Sequence, residues 1–436
     1  MEMEEKVQNQ VSGHRCAGLC ARCPRAGHCP TRRAADSSPV LLAGKRPNSS
    51  ARQEDGIGFG VDIGSTTLAL ALYDLRTGAL LAEKGCRNPQ MAIDLLKTSF
   101  IRNAMAGSVP RYFIRNDASA IAADVIGRIA AAAASPSGLN QLQRLVMDAL
   151  GSLLAEACAA VPCTPAELVD GVVTGNTVML HLLTGRNPDA LGHAPFHAEW
   201  LAGETIELFG HPVWLPPCVG AFVGADHVTA LIAGNFTPEG PTALLCDLGT
   251  NAEVALRANG VLYTTSTAAG PAFEGTGVRG SDLLDALARF LAEGIVQESG
   301  KSDPERLVLP DGRRLRNADV RAVQMAKAAV AAGTSVMLDT AGVHARDLTE
   351  IFLAGGFGCG LNPASAAAIG LLPEVATARK TPLGNAALAG AAELLLFPAR
   401  RAEALELARH AHLVELGGTS DFANRFIDAM SFESWN

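Results

Sequence analysis

One pattern occurs twice in this chain. Gly60-Val61-Asp62-Ile63-Gly64-Ser65-Thr66-Thr67 and Leu245-Cys246-Asp247-Leu248-Gly249-Thr250-Asn251-Ala252-Glu253 each carry an apolar run, a break at Asp-x-Gly, and then hydroxyl or amide side chains. Each is followed by an apolar run that ends on glycine: Val172-Val173-Thr174-Gly175-Asn176-Thr177, whose Gly175 lies 113 residues after Asp62, and Ile351-Phe352-Leu353-Ala354-Gly355-Gly356-Phe357-Gly358, whose Gly355 lies 108 after Asp247. Self-similarity at a matched spacing marks an internal duplication. The expectation is two α/β halves facing each other across a ligand, with the four turns as its clamp.

The residue types point to phosphate. An anionic phosphate needs backbone N–H groups aimed at it, and glycine lets the main chain come close. Gly64 permits that approach, with Ser65, Thr66 and Thr67 as hydroxyl donors; Gly249, Thr250 and Asn251 repeat the arrangement. A carboxylate at Asp62 or Asp247 repels a bare phosphate, so it makes sense with a hydrated Mg2+ between them. Glu253 is placed to reach the same metal or a water. Gly175, Asn176 and Thr177 complete the first half. Gly355, Gly356 and Phe357 leave a shelf on which a purine and ribose can lie, although a helix-packing turn explains the same glycines. A single Asp-x-Gly is an ordinary strand-to-turn break; the matched pair is what argues for a site. No Gly-x-x-x-x-Gly-Lys-Ser/Thr run occurs, which excludes a P-loop.

With 436 residues, the chain has room for two or three domains. Its net charge of −8 gives the body no electrostatic reason to seek nucleic acid. No apolar run of about 18 residues occurs, so neither a membrane span nor a signal peptide is expected, and a cytoplasmic setting follows. Six of the ten cysteines (Cys86, Cys158, Cys163, Cys218, Cys246 and Cys359) are scattered and read as small buried hydrophobes. The other four are Cys16-x3-Cys20-x2-Cys23-x5-Cys29. Thiolates this close bind an iron–sulfur cluster or a structural zinc. Arg15, Arg22 and Arg25 favour the thiolate form. A cluster is preferred, 4Fe-4S over 2Fe-2S, because only one Cys-x2-Cys pair is present, where zinc commonly uses two.

The chain divides accordingly. Residues 1–35 form a cysteine-rich knuckle and 36–55 a linker; 56–235 form a first RNase-H-like half, with 91–119 as an insertion of no clean period. Residues 236–400 form a second half, and 401–436 a tail on it. Strands are expected at 57–63, 68–74 and 79–84. Helices are expected at 120–134, 139–160, 177–184, 282–293, 317–339 and 384–397. Residues from 185 to about 217 read as a proline-containing loop.

Duplicated Asp-x-Gly turns with a late Gly-Gly turn resemble the superfamily of acetate and sugar kinases, Hsp70 and actin (ASKHA). A closer resemblance is to the reductive activators of corrinoid proteins. It is carried by Arg87-Asn88-Pro89-Gln90, by Val173 to Leu183, by Ala194-Pro195-Phe196 and by Pro216 to Asp226. It continues through Ala268 to Gly275, Gln324-Met325-Ala326-Lys327, the Gly355 turn and Gly384-Asn385-Ala386-Ala387. In order, these cover about residues 58–395. The resemblance implies an α/β fold of two RNase-H-like halves and ATP-dependent return of cobalt(II) to cobalt(I) in a partner corrinoid protein. An unidentified electron donor supplies the reductant, and a homodimer is one open arrangement. Larger relatives carry a ferredoxin-type domain where this chain has only the knuckle. Asp62, Asp247 and Glu253 are then the catalytic acids. A small-molecule kinase, or an ATP-responsive module that handles a metalloprotein without moving electrons, are the alternatives.

Overall fold

A computed structural model describes residues 55–90, 125–249, 251–270, 280–309, 311–358 and 361–435. The four clustered cysteines, linker residues 36–54, the stretch 91–119 and Thr250 lie outside the described residues. The strands are β1 (Ile57–Ile63), β2 (Thr67–Asp74), β3 (Leu80–Arg87), β4 (Leu168–Gly175), β5 (Glu204–Leu208), β6 (His211–Leu215), β7 (Ala243–Leu248), β8 (Ala252–Ala258), β9 (Val261–Thr267), β10 (Glu350–Ala354), β11 (Arg379–Gly384) and β12 (His412–Leu413). The helices are α1 (Val125–Ala133), α2 (Pro136–Cys158), α3 (Thr177–Thr184), α4 (Ala225–Ala233), α5 (Gly280–Ala292), α6 (Asn317–Ala341), α7 (Gly355–Gly358), α8 (Pro363–Ala368), α9 (Ala386–Leu396), α10 (Arg400–His410) and α11 (Ser420–Asp428).

The strands form two six-stranded sheets, ordered β3-β2-β1-β4-β6-β5 and β11-β10-β7-β8-β9-β12. In the first, β1, β2 and β3 run antiparallel in sequence, and β4 then β6 add parallel to β1. In the second, β7, β8 and β9 repeat the meander, and β10 then β11 add parallel to β7. Each half is therefore RNase-H-like, and the duplication read from the Asp-x-Gly turns is a duplication of the fold. In both halves Asp-x-Gly closes the first strand, β1 or β7, and the matched glycine closes or follows the fourth, β4 or β10.

Side-chain alternation on β1 sets the layers. Phe59, Val61 and Ile63 enter a core with α1, α2 and α3. Gly58 and Gly60 face the other way, against Leu395 and the backbone of Ala391 and Ala392 in α9. On β7, Leu244, Cys246 and Leu248 enter a separate core built with α5, α6 and α8. Between the sheets lie α4 and α9, with Val172, Trp214, Leu245 and Phe352 closing over them. Ten of the eleven residues of α9 are buried, as expected of an Ala/Leu helix that is apolar all round. α9 leaves the second sheet from β11 yet lies against β1, β2 and β4 of the first. Each half thus lends a helix to the middle layer.

The two helices cross at Gly390, where an added Cβ would land on the Thr229 carbonyl oxygen. Gly390→Ala is therefore expected to force α4 and α9 apart and destabilise the protein by about 1–3 kcal/mol or more. A denaturant titration checks this; an unchanged midpoint would mean that the crossing is loose.

Gln324 and Lys327 of α6 hold the C-terminal tail. The Gln324 side-chain amide donates to the carbonyls of Ser299 and Met430 at 3.0 Å each, and the Lys327 ammonium donates to the Ser431 carbonyl. Burial pulls the Lys327 pKa down to about 8. Phe432 is thereby held in the second core.

The loop expected up to Pro217 contains the β5–β6 hairpin. Its signal is weak because β5 reads Glu-Thr-Ile-Glu-Leu and β6 contains Pro212. That proline is tolerated because β4 pairs with β6 only through Val213 and Trp214, leaving Pro212 opposite Glu207 of the outermost strand. β11, with Pro382, was obscured in the same way. No helix among the described residues is long and apolar enough to cross a membrane.

Candidate functional site

The C-terminal ends of β1, β4, β7 and β10 and the start of α4 and α9 meet around four carboxyl groups. Asp62 is opposite Thr174 in the parallel register of β1 and β4, as Asp247 is opposite Ala354. Glu253 stands directly across from Asp247 on antiparallel β8, where the first half has Ala69 across from Asp62. Residues opposed in this way project from the same sheet face, and like charges so placed repel. The fourth acid is Asp226, in the first turn of α4.

All four are pushed up by burial, and Asp62, Asp247 and Glu253 also by neighbouring carboxylates. Burial, then the Asp226 charge, raises Asp62 to about 7, opposed by an Asn385 hydrogen bond. Burial, then Asp226 and Asp62, raises Asp247 to about 8. Burial raises Asp226 to about 6 against two backbone N–H groups. Burial, then Asp226 and Asp247, drives Glu253 well above its ordinary range. Glu253 is 9% exposed, whereas the three aspartates are partly exposed. A bound cation would offset the repulsion and restore the ionised forms.

These shifts set a pH dependence for the metal-free protein. Folded-state values of about 6, 7 and 8 exceed the ordinary 3.8. The folded chain therefore holds protons that the unfolded chain has released, and stability falls as pH rises. The contribution is full below about pH 4 and is lost through the folded pKa values. The melting temperature of chelator-treated protein is expected to drop between pH 6 and pH 8.5, with added Mg2+ flattening the slope. A metal-independent profile would argue against a cation site.

Behind the first turn stands a fastening shell. The Asn88 side-chain amide donates to the Gly64 carbonyl at 2.9 Å, and its backbone N–H to the Thr66 carbonyl at 2.8 Å. Fully buried Arg128 donates to the Ser65 carbonyl, and to the Met179 sulfur at 3.0 Å. The Asn176 amide donates to Ser65 Oγ at 3.1 Å, while its Oδ1 caps α3 by accepting from the Met179 N–H at 2.9 Å. Thr177 is fully buried, and its hydroxyl donates to the Gly220 carbonyl at 2.6 Å, which fastens the loop after β6. Thr66 and Thr67 stay partly open at the end of the turn.

Glycine is required at several points. A Cβ on Gly64 would meet the Thr67 carbonyl oxygen at 2.8 Å, and one on Gly175 the Ile63 carbonyl oxygen at 2.8 Å. Gly355 has φ +87°, and a Cβ there would reach Asp247 Oδ1 at 2.5 Å and the Leu248 carbonyl oxygen at 2.6 Å. In the second turn the Gly249 N–H donates to the Asn251 carbonyl at 3.0 Å, and both residues are partly open. Gly356 and Phe357 belong to the single turn α7.

Two residues of the cluster escaped sequence reasoning as site residues. Asp226 is the charge that acts on all three other acids. Asn385 caps α9 by accepting from the Leu388 N–H at 2.9 Å, and donates to Asp62 Oδ2 at 3.2 Å. The available signal was a polar residue at the start of an apolar helix in each half: Asp226 in the first turn of α4, after Gly224, and Asn385 at the N-cap of α9, after Gly384.

Two family models together match most of this chain. The model for the RACo middle region matches residues 101–238, and that for the C-terminal domain of RACo, the ASKHA domain, matches residues 241–279 and 276–436. The chain belongs to the RACo family. It is 28% identical over 433 residues to the corrinoid activation enzyme RamQ of Eubacterium limosum, covering 82% of this chain and 68% of that protein. It is 22% identical over 336 residues to the [Co(II) methylated amine-specific corrinoid protein] reductase of Methanosarcina barkeri, covering 60% of this chain and 62% of that one. Among solved structures, a reductive activator for corrinoid, iron–sulfur protein superposes with a TM-score of 0.74 at 27% identity, covering 88% of this chain and 67% of the other. This RACo-family chain therefore spans about two thirds of the length of these relatives.

Proposed function

We propose that this RACo-family chain is an ATP-dependent reductive activator of a corrinoid protein, returning cobalt(II) to cobalt(I). The observation that carries the reading is the cluster of Asp62, Asp226, Asp247 and Glu253 between two Asp-x-Gly turns. Four mutually repelling carboxyl groups in one cleft suit a hard divalent cation with oxygen ligands. Asp62, Asp247, Asp226 and Glu253 would hold Mg2+ through its water shell, since among the described residues no three such side chains are grouped closely enough to ligate one ion. Gly64, Ser65, Thr66, Thr67, Gly249, Thr250 and Asn251 would take the phosphates, with Gly175 and Asn176 shaping the wall. Gly355, Gly356 and Phe357 would lie beside the nucleoside.

ATP supplies differential binding free energy between two arrangements of the halves. A nucleotide assists an unfavourable electron transfer only by stabilising the arrangement or complex in which transfer is favourable. The facing turns belong to different sheets, so one ligand held by both biases their relative position. α4 and α9, which carry Asp226 and Asn385 at their starts, transmit that bias through the middle layer.

Cys16, Cys20, Cys23 and Cys29 are the proposed ligands of an iron–sulfur cluster, 4Fe-4S over 2Fe-2S, with zinc as the alternative. Four thiols in one short basic segment support this. When bound, such a cluster supplies one-electron chemistry. The partner is a corrinoid protein, and a separate donor refills the electron. A reducing cytoplasm suits free thiols such as Cys86, Cys158, Cys163, Cys218 and Cys246.

Iron and acid-labile sulfide analysis of anaerobic protein tests the cluster: matched iron and sulfide support it, and stoichiometric zinc without iron removes it. Gel filtration with a cobalt(II) corrinoid protein and Mg·ATP tests the partner. A joint peak is expected; separate elution under every nucleotide condition counts against the reading.

A further inference from the structure

The loop that joins β6 to α4 has no hydroxyl, amide or charged side chain with which to fix its own course. It reads Pro216-Pro217-Cys218-Val219-Gly220-Ala221-Phe222-Val223-Gly224, and every residue but Val219 and Phe222 is buried. Backbone bonds fold it. The Val219 and Gly220 N–H groups both donate to the Val223 carbonyl, at 2.9 and 3.1 Å, and the Cys218 N–H donates to the Leu201 carbonyl at 2.7 Å. The Gly220 carbonyl accepts its hydrogen bond from outside the loop, from the buried Thr177 hydroxyl at 2.6 Å.

Thr177 opens α3 directly after Asn176. The far end of the loop returns to the same place. A Cβ on Gly224 would fall 2.4 Å from Asn176 Cα and 2.6 Å from Asp226 Oδ1, so loop, helix start and carboxylate pack without slack. Asp226 Oδ1 in turn accepts from the His227 N–H at 2.9 Å. The loop is therefore seated on the start of α3 twice, at Gly220 and at Gly224, and the second seat touches the Asp226 carboxylate. The Asn176 side chain also holds Ser65 Oγ at 3.1 Å. One short segment thus supports both the first Asp-x-Gly turn and Asp226.

We propose that Thr177 is a positioning residue for Asp226. By holding the Gly220 carbonyl it keeps the loop seated on Asn176, and with the loop the carboxylate that meets the hydrated cation. The assignment rests on the nucleotide reading above. The Thr177 hydroxyl is committed to Gly220, so it acts through the loop and not on the ligand. Without it a buried carbonyl is left unsatisfied, and the loop shifts to find another partner. Ser65 keeps its own fastenings from Asn176 and Arg128. The displacement is therefore felt by the metal and not by the phosphate turn, which a merely structural threonine would not bring about.

The experiment measures ATP affinity by calorimetry on the full chain, in Mg2+ and in EDTA. The gain in affinity that Mg2+ brings is expected to fall about tenfold in Thr177→Val and to return to within about twofold of wild type in Thr177→Ser, with equal affinities in EDTA. In an Asp226→Asn background, Thr177→Val is expected to cost nothing further, because both changes act on one carboxylate. Gly224→Ala presses on the same contact from the loop side; it is expected to show the same loss, and it reads the path should Thr177→Val not fold. Equal Mg2+ gains in wild type and Thr177→Val, or a loss that adds in full to that of Asp226→Asn, overturn the assignment while the nucleotide reading stands. A wild type that binds no ATP under either condition overturns that reading, and the assignment with it.

Discussion

Asp247→Asn abolishes magnesium-dependent ATP binding and at the same time raises the melting temperature of the metal-free protein. The two effects share one cause. Asp247 stands opposite Glu253 across β7 and β8, and it also feels Asp226 and Asp62. Removing its charge relieves repulsion that nothing offsets when no cation is bound. It also removes a carboxylate that holds the hydrated cation, and a loss of at least about 100-fold in affinity, roughly 2.7 kcal/mol, is expected. An ordinary buried aspartate, paired or capping, would behave in the opposite way, because its removal would cost stability. Calorimetry and melting curves at pH 8 decide between them. Asp62→Asn is expected to act in the same direction, and Asp226→Asn to relieve the other three acids together.

Gly355→Ala removes nucleotide binding and costs more stability than backbone strain alone explains. At φ +87° any L side chain is strained, by roughly 1–2 kcal/mol. The new methyl group would also strike Asp247 Oδ1 and the Leu248 carbonyl, so the second Asp-x-Gly turn must move to accommodate it. Gly342 is the control. It closes α6 at φ +66°, with nothing within 4 Å of an added Cβ. Gly342→Ala is expected to show the strain cost alone and to keep the full ATP-induced rise in melting temperature. If both variants keep that rise, Gly355 does not shape the site.

What the sequence disclosed and what it hid follow a physical rule. The Asp-x-Gly turns were legible because they break strong apolar runs, and the break recurs at a matched spacing. The long helices α2 and α6 were legible within a few residues at most boundaries, through length and composition. α4 was missed because Ala225 to Ala233 is short and almost uniformly buried, so no polar face gives it a period. β5 and β11 were missed because edge strands admit polar residues or proline, and β6 because its Pro212 pairs only with the edge strand β5. Glu253 was found by proximity in sequence, because the hairpin returns it opposite Asp247. Asp226 and Asn385 were not, because they lie 21 and 138 residues from Asp247 in a chain whose middle layer alone brings them together.

The most direct test follows cobalt. A cobalt(II) corrinoid protein, an electron donor and this chain are mixed anaerobically, with and without Mg·ATP, and the corrinoid spectrum is recorded over time. Wild-type protein is predicted to convert cobalt(II) to cobalt(I) in the presence of Mg·ATP, and Asp247→Asn protein is predicted to show no ATP-dependent gain. Equal cobalt(I) formation with and without ATP, in both proteins, would contradict the account.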